Sequence, residues 1–143
     1  EQYQALLPIP YTYVGSENID STIETDDDFL YKTFQLSIHS RLPLMSSQMS
    51  RTPEYQNAKL VEMILNGKPD RLILEKLNEK PILVLLDKVS ANPNCTSCKK
   101  PSSNFGKYFF EEEYKFPQKA NAKLVAENER YAFYSWQAKQ KQN

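Results

Sequence analysis

The chain has 143 residues and a mass of 16.6 kDa, room for one domain or a small domain with tails. Lys plus Arg and Asp plus Glu each number 18, and the zero formal net charge argues against a dedicated nucleic-acid binder. Gly15, Gly67 and Gly106 stand isolated, which excludes a Rossmann or P-loop phosphate cradle, and the single His39 removes most histidine-rich zinc and acid–base sites.

Residues 1–28 read as an extended acidic arm. Leu7-Pro8-Ile9-Pro10 favours extended backbone, because each proline restrains itself and the residue before it. Tyr11 and Tyr13 alternate until Gly15. An acidic run ending in Asp26-Asp27-Asp28 follows, with isolated Ile19 and Ile23. Such a segment fits a surface, its own or a partner's.

A single small domain is expected over 29–139, with a frayed tail at 140–143. Phe34, Leu36 and Ile38 alternate with Gln35 and Ser37 and predict a strand over 29–38. Residues 43–53 read as loop. Thr52 is a natural N-cap, with Pro53 at the first helical position, so a helix is expected to about Asn66, ended by Gly67. Pro69-Asp70 opens a second helix, stopped by Lys80-Pro81, and the short link makes an αα-hairpin. Ile82 to Val89 fits strand or helix, and helical spacing of Leu83 and Leu86 favours helix. Tyr108 to Phe116 reads as a short strand or an aromatic turn. Residues 119–139, with Ala120, Leu124, Glu127, Tyr131 and Tyr134 three or four apart, predict the longest helix. The expected fold is therefore α-rich and irregular α+β. It comprises an αα-hairpin, a long C-terminal helix, one or two short strands and an extended N-terminal arm.

The longest apolar run, Ile82 to Leu86, is too short to cross a bilayer. The chain begins at Glu1 without a visible leader, so it reads as processed or as a fragment. An intracellular location is expected, with an organelle left open and secretion less favoured. Charge is divided along the chain. Residues 1–50 hold seven acids and two bases, whereas 51–143 hold 11 acids and 16 bases, a net of +5. An acidic arm thus precedes a basic body, and each can meet a different partner.

Cys95 and Cys98 form one C-x-x-C. A zinc site needs four ligands, so this pair is at most a half-site for zinc. A redox role needs a thiol activated by a helix N-terminus, and a polar loop precedes the pair. The remaining reading is a local disulfide or two thiols. Asn94-Cys95-Thr96 also matches the N-glycan acceptor rule. His39 lacks catalytic partners, and neither acidic triplet has the spacing of a calcium loop or a glycosidase pair. No residue set completes an active site, so no cofactor and no enzymatic activity are expected. The interaction candidates are Leu7, Ile9, Tyr11 and Tyr13 in the arm, and Tyr131, Phe133, Tyr134 and Trp136 at the C-terminus.

The reading that follows is a non-enzymatic structural or adaptor subunit of a multiprotein hetero-complex. It docks through its arm and its aromatic C-terminal helix. The alternatives are a ribonucleoprotein-associated protein stabilised by zinc or a disulfide, and a thiol–disulfide redox protein. Clustering of Lys68, Arg71, Lys76, Lys80, Lys99, Lys100 and Lys107 would favour nucleic acid.

Overall fold

The computed structural model describes residues 2–12, 27–46, 54–101 and 103–139. Four strands form one mixed sheet: β1 (Ala5–Ile9), β2 (Ile82–Asp87), β3 (Lys123–Glu127) and β4 (Tyr131–Trp136). Their order is β1-β2-β4-β3, with β1 and β2 parallel and both other pairings antiparallel. The helices are α1 (Asp27–Ser40), α2 (Glu54–Asn66), α3 (Arg71–Lys76), α4 (Asn104–Glu113) and α5 (Phe116–Lys119). The expected α-rich fold is thus corrected to mixed α/β around a central sheet.

The sheet is covered on both faces. Leu7, Ile9, Ile82, Val84, Leu86, Ala132 and Trp136 meet Val61, Met63 and Ile64 of α2, Phe109 of α4 and Phe116 of α5. Leu6 and Leu85 point the other way, to Phe29 of α1 and to Leu42. This explains β2. A strand buried on both faces reads as an unbroken apolar run, which periodicity alone does not separate from a helix.

Four expected elements change type: β2, where helical spacing favours a helix, and three others. The strand expected over 29–38 is helix α1. Phe29 and Thr33 are buried and Leu36 is partly buried, at spacings of four and three, while Phe34 and Ile38 face outward. Asp27 and Asp28 sit in its first turn, where acids suit the helix dipole, and Asp28 pairs with Lys32 at 2.9 Å. The long C-terminal helix expected over 119–139 is the β3–β4 hairpin. Tyr131 and Phe133 face α1, while Ala132, Tyr134 and Trp136 face the other layer. Asn128 Oδ1 shapes the turn by accepting the Arg130 and Tyr131 N–H groups. The run Tyr108-Phe109-Phe110 belongs to α4, capped by Ser103 Oγ, which accepts the Gly106 N–H.

Helix α2 ends at Asn66, and Gly67 follows with φ 70°. A Cβ there would stand 2.7 Å from the Lys119 carbonyl carbon, so glycine also permits the close approach of α5. Instead of a second full helix, α3 has six residues, with Asp70 as its N-cap. The proposed Thr52 cap and Pro53 lie outside the described residues, as do Tyr13 and the tail 140–143. The start of the arm is not a loose segment: β1 is wholly buried and hydrogen-bonded along β2.

Candidate functional site

Among the described residues the sheet has one closed edge and one open edge. At the closed edge, the Leu6 N–H donates to Pro43 O, and Leu6 O accepts the Met45 N–H. At the open edge all five residues of β3 are exposed, including Leu124 and Val125 at 50% and 55%. Leu124 lies opposite Tyr134, so both share the face that carries α5. Pro117, Gln118, Asn121, Ala122 and Tyr134 line a shallow hollow of about 410 Å³ on that face. A β-bulge between Leu124 and Ala126 breaks the regular ladder and presents Val125 outside it. Burial, followed by the charges of Glu127 and Tyr114, pushes the Tyr134 phenol above its ordinary pKa, so it is a neutral donor and acceptor at physiological pH.

The second group of residues lies beyond the carboxyl end of β2. Asp87 is fully buried, and its carboxylate binds Arg130 Nη2 at 3.1 Å and Nε at 3.2 Å. Its Oδ1 also accepts the Val89 and Ser90 N–H groups. This bracket ties the end of β2 to the β3–β4 turn, and Asp87 raises the pKa of Arg130. Next along the loop, Cys95 and Cys98 are joined by a disulfide, with their Cα atoms 5.6 Å apart. Both cysteines are half-buried. A cleft of about 180 Å³ is lined by Pro93, Lys100, Pro101, Lys107, Phe110 and Glu111.

The disulfide leaves neither sulfur of Cys95 or Cys98 as a thiolate to hold zinc. No group of three metal-ligating side chains occurs among the described residues. Helix α4 begins at Asn104, six positions beyond Cys98, so its N-terminus does not start at either sulfur. His39 is exposed in the last turn of α1, its Nδ1 2.7 Å from Gln35 O, rather than at a strand end. Of the seven basic residues weighed for nucleic acid, Lys100 and Lys107 share the lining of one cleft. Arg71 pairs with Glu75, and the rest are spread over the α2–α3 link, α3, the turn before β2 and the cysteine loop.

Adjacent Glu112 and Glu113 have opposite environments. Glu112 is paired with Lys119 at 2.6 Å and Lys115 at 2.9 Å, and these contacts hold its carboxyl at about 2. Glu113 is buried. Its Oε2 accepts the Tyr11 N–H at 2.9 Å, while Oε1 has no hydrogen-bond partner among the described residues. Burial pushes its carboxyl well above the usual range, against the smaller opposing effect of that N–H. The Tyr11 hydroxyl donates to buried Asn57 Oδ1 at 2.7 Å, which makes this a polar seam inside the core. No periodicity signals it, because a Glu-Glu-Glu run looks like solvated surface.

Of the eight expected contact residues, Leu7, Ile9, Tyr11 and Trp136 are buried in the chain's own core. Phe116 meets the Trp136 ring edge-on at 4.9 Å. Tyr131 and Phe133 lie partly buried beside α1. Tyr134 is half-buried and lines the hollow, whereas Tyr13 lies outside the described residues. The helical period read over 119–139 hides the exposure of Leu124 and Val125, because a hairpin has a different period. Among the described residues no helix is long and apolar enough to cross a membrane. Comparison with protein-family models, curated proteins and solved structures finds no match.

Proposed function

We propose that the protein is a non-enzymatic structural or adaptor subunit of a hetero-complex and that it docks through its β3–β4 end. The supporting observation is the open apolar edge: Leu124 and Val125 stand half exposed on β3, and Leu124 lies opposite Tyr134, which lines the hollow. Contacts of this kind place apolar side chains at the centre of an interface with polar groups around it. Here Lys123 and Glu127 flank the apolar residues, and Glu127 is steadied by Lys88 at 3.2 Å.

The occupant is a different protein rather than a second copy. Side-by-side pairing of two β3 strands needs an even row of backbone donors and acceptors, and the bulge interrupts that row. A partner that presents an apolar side chain to the hollow avoids this requirement. The fit also relocates docking away from the arm, whose first residues are core.

The test compares the full chain with Leu124→Ser and Val125→Lys variants, each purified gently from its native source. Native mass spectrometry is expected to find a bound heterologous subunit on the parent and its loss from both variants, with circular dichroism unchanged. A subunit retained by both folded variants, or a chain with no bound subunit, contradicts the proposal.

A further inference from the structure

We propose that Asn94 is an N-glycan acceptor and that the chain matures in the oxidising lumen of a secretory pathway. Two kinds of observation meet at one loop. The first is the acceptor pattern and its presentation. Asn94-Cys95-Thr96 satisfies the N-x-[ST] rule, and the loop places Asn94 and Thr96 in solvent. Asn92, Pro93 and Cys95 around them are half-buried, so Asn94 projects from an anchored turn. Asn92 forms that turn: its Oδ1 accepts the Asn94 N–H at 2.9 Å, and its carbonyl accepts the Cys95 N–H at 3.0 Å. The Asn94 side-chain amide makes no hydrogen bond among the described residues, which leaves Nδ2 available.

The second observation is the Cys95–Cys98 disulfide itself. Disulfides persist in the lumen of the endoplasmic reticulum and outside the cell, and are rare where glutathione keeps thiols reduced. The bond encloses four residues in an irregular loop that follows buried Ala91, and both cysteines are partly exposed. An oxidising compartment favours an accessible bond of this kind. Asparagine-linked glycosylation takes place in that same lumen. The proposal departs from the intracellular location that sequence composition favoured.

The chemistry is balanced by a lipid-pyrophosphate-linked oligosaccharide as donor. A bond forms between Asn94 Nδ2 and the saccharide's C1, and the C1–phosphate oxygen bond breaks. The pyrophosphate leaves on the lipid, and Nδ2 loses one proton to the transferase. The Thr96 hydroxyl is the recognition element for that transfer.

The decisive experiment uses the chain from its native source. Peptides are treated with a glycan-releasing amidase in heavy-oxygen water, which converts a glycosylated Asn to labelled Asp. Label at position 94, in molecules whose Cys95 and Cys98 remain joined, is the expected result. Unmodified Asn94 in the native chain overturns the proposal, whether the cysteines are joined or free. In a secretory host, Asn94→Gln and Thr96→Ala are each expected to abolish an endoglycosidase-sensitive mobility shift, and Thr96→Ser to retain it. Both positions are exposed, so these variants preserve the fold. A shift that survives Asn94→Gln also overturns the assignment.

Discussion

Strands β1 and β3 are the two edges of one sheet and have opposite surroundings. Every residue of β1 is buried, and every residue of β3 is exposed. β1 carries Pro8, whose missing N–H is tolerated at a sheet edge, and the segment around Leu44 bridges to Leu6. Among the described residues β3 has no such cover, and a bulge is its guard against pairing with another strand. The apolar, proline-containing Ala5–Ile9 therefore lies inside, while the equally long but more polar Lys123–Glu127 presents the apolar contact surface.

The largest effect is expected where this contrast is broken from the buried side. Leu7→Ala should lower unfolding free energy by about 2–5 kcal/mol in a urea titration, because a fully buried leucine leaves a cavity. Arg130→Ala should cost about 2 kcal/mol. It removes the charge partner of buried Asp87, although the Val89 and Ser90 N–H groups remain. Reduction of the Cys95–Cys98 disulfide should cost no more than about 2 kcal/mol, since a four-residue ring restricts the unfolded chain little. Thermal unfolding with and without a reductant measures this.

A smaller, pH-dependent effect separates Glu113 from Glu112. The folded-state pKa of Glu113 is raised, so the protonated form is the one the fold favours. Its contribution is fully present below the unfolded value near 4.5 and is lost as pH rises through the folded value. Glu113→Gln should therefore stabilise the chain at pH 7 relative to its stability at pH 4, as measured by urea titration at both values. It should also flatten the pH profile above pH 4.5. Glu112 behaves in the opposite sense. Its contribution is present above pH 4.5 and is lost as pH falls towards about 2. The smallest effect is expected at the open edge: Val125→Lys should change stability by no more than about 0.5 kcal/mol.

Some of this organisation was legible in the sequence. The end of α2 at Gly67 could be read from the Asn66-Gly67 terminator, because a left-handed residue is local chemistry. The helix favoured over Ile82 to Val89 is strand β2, since burial on both faces erases the alternation that marks a strand. Helix α1 and the β3–β4 hairpin were misread for a related reason. Phe34, Leu36 and Ile38 alternate by chance along a helix, and Leu124, Tyr131 and Tyr134 fall at helical spacing by chance along a hairpin. Tertiary contact then decided which residues are buried. The candidate site suffered most: Tyr134 was identified for its aromatic chemistry, but Leu124 and Val125 became visible only once the hairpin was in place. The Asp87–Arg130 bracket joins residues 43 positions apart, and no local rule brings them together.

The central claim is that β3, not the N-terminal arm, meets the partner. Photo-crosslinking tests it most directly, with a photoreactive residue at Val125 and, as a control, at exposed Leu72 on α3. The full chain is irradiated in its native cells, and products are identified by mass spectrometry. The account predicts one discrete heterologous protein captured from position 125, absent from position 72 and lost when Leu124→Ser is added. Capture of a second copy of the chain, the same products from both positions, or none from position 125 would contradict it.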